Sequence, residues 1–120
     1  HDAATGTIRV GHVWMAPAAA GGTATPVIPL LNLGQEPDRL TAVATGASTR
    51  VELRSAGRPA PSIELRPGAP LALRGGTAAE ALLVGLRQEA RPGDRIAIVL
   101  TFARAGSVAI DIHVEATPGH

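Results

Sequence analysis

Arg95-Ile96-Ala97-Ile98-Val99-Leu100-Thr101-Phe102 is followed, through Arg104-Ala105-Gly106, by Ser107-Val108-Ala109-Ile110-Asp111-Ile112-His113-Val114. Both runs are rich in β-branched residues, and Val108, Ile110, Ile112 and Val114 recur at period two, as in a strand with one buried face. Arg104-Ala105-Gly106-Ser107 makes a tight connection between them. The pair therefore reads as two neighbouring strands, and the same grammar extends back along the chain. Ile8 and Val10, with Trp14 beyond, open it, and Val27 to Leu33 is a more continuous apolar run. Leu40 to Val43 follows the turn Glu36-Pro37-Asp38, and Arg50-Val51-Glu52-Leu53-Arg54 and Ser62-Ile63-Glu64-Leu65-Arg66 alternate cleanly. Leu71-Ala72-Leu73 and Ala81 to Leu86, apolar on both faces, complete a set of eight or nine strands. Turns such as Arg66-Pro67-Gly68, Arg74-Gly75-Gly76 and Arg91-Pro92-Gly93-Asp94 separate them. Ala16 to Ala20 is a loop, because Pro17 and Gly21-Gly22 bracket it, and a single helical turn is expected near Thr77 to Ala81.

Strands at this spacing predict an all-β chain, a β-sandwich or barrel. The expected core is Ile8, Val10, Trp14, Leu31, Leu33, Val51, Leu53, Leu83, Leu86, Ile98, Leu100, Phe102, Val108, Ile110 and Ile112. The 120 residues make one domain, 1–120, with 117–120 a flexible tail.

Composition narrows the function. Eleven basic and ten acidic residues leave a net charge of +1, which excludes a strongly electrostatic nucleic-acid binder. Trp14 and Phe102 are the only aromatics, too few for base stacking or a flat sugar-binding face. Cysteine is absent, which removes disulfides, thiolate metal sites and thiol nucleophiles. No apolar run reaches the ~20 residues of a membrane-spanning helix. Ser48, Ser55, Ser62 and Ser107 lie in no nucleophile-elbow pattern, and the Gly-Gly pairs match no phosphate loop. A chain that begins at His1 rather than Met reads as one whose signal peptide was removed before His1, which implies export.

Imidazole remains. The histidines are His1, His12, His113 and His120. A free N-terminal His can chelate one ion with its amine and ring Nδ1, and a second His then completes a T-shaped set of three nitrogens, a histidine brace. Nitrogen donors in a tetragonal set suit Cu(II). A turn at Thr5-Gly6 would fold His1 back opposite Val10 to His12. His113 is the rival second ligand: period two places it beside Asp111, opposite the apolar face, where the carboxylate could ligate or orient it. Residue spacing leaves His12 and His113 both open.

The order of segments resembles the periplasmic copper chaperone PCu(A)C family. Ile8-Arg9-Val10-Gly11-His12-Val13-Trp14-Met15-Ala16 is similar to its opening strand. Pro29 to Leu40 resembles its apolar strand followed by N-x-G-x-x-x-D-x-L, here Asn32, Gly34, Asp38 and Leu40. Arg50-Val51-Glu52-Leu53, Leu83-Val84-Gly85-Leu86, Pro92-Gly93-Asp94 and Leu100 to Gly106 continue the resemblance in order. The family usually binds Cu(I) through His and Met. Arg54 stands in the place of one His, Glu80-Ala81-Leu82 in the place of a His-x-Met pair, and the Met-rich hairpin is the short Ser55 to Pro61. Arg54, Glu80 and Leu82 are therefore expected to bind no metal.

The chain is similar to Cu(II)-binding members of that family from methane-oxidising bacteria, which lack the His/Met motif and use a histidine brace. The resemblance implies an all-β, Greek-key β-sandwich or barrel of the cupredoxin-like kind, and a non-enzymatic periplasmic protein of copper homeostasis or delivery. It would bind one Cu(II) per chain through His1 with His12, the first choice, or His113, and hand it to a copper-delivery partner, with no nucleic acid and no membrane-spanning segment involved. The alternative is a degenerate chaperone domain acting as a metal-free interaction module. A small copper oxidase is disfavoured by the lack of an aromatic binding face.

Overall fold

The computed structural model describes residues 3–116. Twelve strands form among them: β1 (Ala3–Thr5), β2 (Ile8–Val10), β3 (Trp14–Met15), β4 (Ile28–Asn32), β5 (Asp38–Ala44), β6 (Ser48–Ser55), β7 (Arg58–Pro59), β8 (Ile63–Leu65), β9 (Leu71–Leu73), β10 (Ala79–Leu86), β11 (Arg95–Phe102) and β12 (Gly106–Val114). The number exceeds the eight or nine expected because β1, β3 and β7 are two or three residues long, below what alternation can reveal. No helix forms among the described residues, so none could cross a membrane. The helical turn expected near Thr77 is absent. The Thr77 hydroxyl donates to the carbonyls of Arg74 and Ala79, closing a turn that leads straight into β10. Residues 117–120, the expected flexible tail, lie outside the described residues.

The strands build three sheets, ordered β1-β2-β4-β9, β10-β6-β7 and β3-β12-β11-β5-β8. The closing hairpin is the longest ladder, β11 against β12 from Arg95↔His113 to Phe102↔Gly106. Its other neighbours are distant in sequence. β5 lies antiparallel on the far side of β11, and β3 lies parallel to β12. The opening of the chain thus sits beside its end.

Phe102, Ile8, Met15, Ile28, Leu40, Leu65, Leu73, Leu83, Ile98, Leu100 and Ile112 are buried to 2% exposure or less in one continuous core. Three expected core residues fall outside it. β4 buries Ile28, Leu30 and Asn32, so Leu31 is only half-buried and Leu33 is 55% exposed. A run apolar on both faces leaves the strand's phase open by one residue, and here a polar side chain sets it. Asn32 is 1% exposed, and its amide nitrogen donates to the carbonyls of Glu36 and Leu65. Its side-chain oxygen accepts from the Gly34 amide and the Thr7 hydroxyl. Trp14 is the third exception: Val13 and Met15 point inward instead, and the indole is half-exposed beneath the Arg74 guanidinium, 5.9 Å from the ring centre. Val51, Val108 and Ile110 pack against the core while only half-buried.

Candidate metal centre

The candidate centre is assembled by chain segments at opposite ends of the sequence. Gly6, at φ +53°, turns β1 back on β2, and Ala3 stands opposite Val10. The Thr5 hydroxyl donates to the Ala105 carbonyl at 2.8 Å and pins this hairpin to the turn between β11 and β12. The foldback expected at Thr5-Gly6 is therefore present through Ala3. His1 lies outside the described residues, as does His120.

After β2 the chain leaves the first sheet. The Gly11 amide donates to the Pro29 carbonyl at 2.9 Å, and a Cβ on Gly11 would approach Pro29 Cβ to 3.2 Å. Three residues later the chain joins β12. The His113 amide donates to the Val13 carbonyl and the Glu115 amide to the Met15 carbonyl, each at 3.0 Å. This parallel pairing sets His12, just before β3, beside His113. Their ring centroids are 5.1 Å apart, with the planes tilted by 37°. The two rival second ligands are one pair.

Glu115 completes the cluster, and sequence reading passed over it. His12 Nε2 and Glu115 Oε2 are 2.6 Å apart, with the side chains 35% and 21% exposed. Glu115 Oε1 is buried with no hydrogen-bond partner among the described residues. The available signal was period two: Asp111, His113 and Glu115 share a strand face. Asp111, the carboxylate singled out from the sequence, lines a cavity of about 140 Å³ with His113, Arg95, Gly11, Val13, Ile110 and Ala3. Ala3 therefore brings the start of the described chain to the same cavity as His113.

Two imidazoles backed by a carboxylate are suitable donors for a transition-metal ion such as Cu(II). Among the described residues no three His, Cys, Asp or Glu are grouped to hold one, so a closed site would need donors from beyond residues 3–116.

Arg54, Glu80 and Leu82 lie elsewhere, on the β6–β10 ladder, where Glu80 faces Arg54 and Leu82 faces Glu52. Arg54 donates to the Gly57 carbonyl at 2.6 Å, and its Nε is 3.6 Å from Glu52 Oε2. Glu80 accepts from the Gly76 amide at 2.8 Å. Ala56 (φ +53°) and Gly57 (φ +79°) make the two-residue turn from β6 to β7, a tight hairpin in place of a longer Met-bearing one. A guanidinium has no lone pair to give a metal, and Leu82 has no donor atom.

No curated protein sequence matches the chain. Among solved structures, it is similar to the apo PCuAC domain from PmoF1, at 26% identity and a TM-score of 0.88, covering 98% of this chain and 100% of that one. The copper-bound PCuAC domain from PmoF2 is 28% identical with a TM-score of 0.85, covering 98% and 99%. The solution structure of CuI-DR1885 from Deinococcus radiodurans, at 15% identity, shares the fold, with a TM-score of 0.78 over 98% of this chain and 83% of that one. The family described as "Putative lipoprotein LpqE-like" matches residues 8–114. The chain therefore belongs to the LpqE-like family, on the cupredoxin-like β fold of PCuAC domains.

Proposed function

We propose that this chain binds one copper(II) ion through the imidazoles of His12 and His113 and, where His1 carries a free amine, through the His1 amine and ring as a histidine brace. The observation that carries the reading is the pair of rings 5.1 Å apart at the junction of β12 with the segment entering β3. Support comes from the hairpin that leads Ala3 to the cavity His113 lines, two residues from His1. Further support is the likeness, at 28% identity, to a PCuAC domain described as copper-bound.

The role in this reading is that of a binding and hand-over protein in copper homeostasis or delivery outside the cytoplasm, not an enzyme. Imidazole and amine must both be unprotonated to ligate, so acid competes with copper for every donor of the brace.

The test is a Cu(II) titration of protein whose N-terminal His1 has been verified by mass spectrometry, against the same protein with one residue added before it. The native end should give a weak visible d–d band and a tetragonal EPR spectrum. The added residue turns the amine into an amide, a far poorer donor, and should weaken binding by roughly tenfold or more, ~1.4 kcal/mol. Equal affinity would exclude the brace and leave His12 with His113 as the site. Silent spectra from both proteins would favour a metal-free interaction module.

A further inference from the structure

We propose that Glu115 is a positioning residue of the copper site: it holds His12 as the Nε2–H tautomer and leaves Nδ1 as the donor that His12 offers the metal. The proposal deepens the copper reading above and rests on it.

A neutral imidazole carries one proton and one lone pair, on different nitrogens, and an ionised carboxylate only accepts. With Glu115 ionised, a neutral His12 ring whose Nε2 is 2.6 Å from Glu115 Oε2 donates from Nε2 and keeps its lone pair on Nδ1. The contact is held from both sides by backbone. Glu115 N donates to the Met15 carbonyl, and His113 N to the Val13 carbonyl, so β12 is tied to the segment that carries His12 on each side of Trp14. A carboxylate bonded to the far nitrogen of a ligating histidine fixes ring orientation and raises ligand basicity.

The second carboxylate oxygen points to the same role. Glu115 Oε1 is buried and has no partner among the described residues. A buried acceptor without a donor is costly, and a cation nearby offsets that cost. The carboxylate thus stands behind the His12 ring, where a divalent ion would bring positive charge.

The experiment uses Glu115→Ala and Glu115→Gln in protein with a free His1 amine. Long-range ¹⁵N–¹H NMR of the metal-free protein reads the His12 tautomer, and a Cu(II) competition titration reads affinity. The wild type should show Nε2–H at His12. Glu115→Ala should lose that preference and bind Cu(II) about 10–100-fold more weakly. Glu115→Gln, whose amide oxygen can still accept from Nε2–H, should keep the tautomer and recover part of the affinity. A wild-type His12 protonated on Nδ1, or a Glu115→Ala protein with unchanged affinity, overturns the proposal. A wild type that binds no Cu(II) overturns the copper reading and Glu115's part in it. The tautomer, read without metal, distinguishes that failure from a failure of the contact itself.

Discussion

Asn32 shows how a short sequence pattern becomes a structural joint. Its four hydrogen bonds reach Thr7, Gly34, Glu36 and Leu65, tying the entry to β2, the end of β4 and the strand β8. Gly34 belongs to the same joint, because a Cβ there would lie 2.9 Å from Thr7 Oγ1 and 3.2 Å from Asn32 Oδ1. Six residues after Asn32, Asp38 is 4% exposed and accepts from the amides of Arg39, Arg104 and Ala105, fastening the start of β5 to the β11–β12 turn. Leu40 then fills the core at 0% exposure. The N-x-G-x-x-x-D-x-L pattern was therefore legible as a pattern, but its role was not. Apolar residues at every position from Val27 to Leu31 hide the phase that a buried Asn imposes. Asn32→Ala strands the amide and carbonyl groups it now pairs, and should lower stability by about 1–3 kcal/mol. Urea unfolding monitored by far-UV circular dichroism checks this, and an unchanged midpoint would show that water replaces the side chain without cost.

At the scale of elements, long ladders were readable and short ones were not. β11 and β12 announce themselves by alternation over eight or nine residues. β3 has two residues, and its partner β12 lies about a hundred positions away, so nothing local specifies that they pair. That pairing is what joins His12 to His113, and spacing alone could not choose between them for this reason. Glycine in a long ladder is a different matter. Gly85 interrupts β10 at φ +71°, and a Cβ on it would lie 2.6 Å from Thr49 Oγ1, whose hydroxyl donates to the Val84 carbonyl. Gly85→Ala combines left-handed backbone strain with that clash, and should cost about 1–3 kcal/mol. Gly21→Ala, at φ +80° with nothing within 4 Å of the added Cβ, carries strain without a clash and should cost less. Comparing the urea midpoints of the two variants separates the contributions. Because Gly85 lies on the β10-β6-β7 sheet, Cu(II) affinity should not change in Gly85→Ala.

Across the whole molecule, the one sulfur donor is buried in the core. The chain has no Cys and a single Met. Met15 is 1% exposed, packed into the core two residues after Val13. The ladder that resembles the family's His/Met positions presents Arg54, Glu52, Glu80 and Leu82 instead. The residues with polar side chains that line the cavity or join the paired rings are Arg95, Asp111, His113, His12 and Glu115. Thioether and thiolate select Cu(I), whereas nitrogen and oxygen donors in a tetragonal set suit Cu(II). The oxidation state of the metal should therefore control its retention. Protein loaded with Cu(II) and then reduced by ascorbate under anaerobic conditions should give up its copper to a Cu(I)-specific chromophoric chelator that leaves the Cu(II) form intact. Release should follow the loss of the Cu(II) EPR signal, and Met15→Leu, which removes the only sulfur, should leave its extent unchanged. Retention of Cu(I) by the wild type and its loss in Met15→Leu would mean that the core opens to bring Met15 to the metal, and that the centre serves both oxidation states.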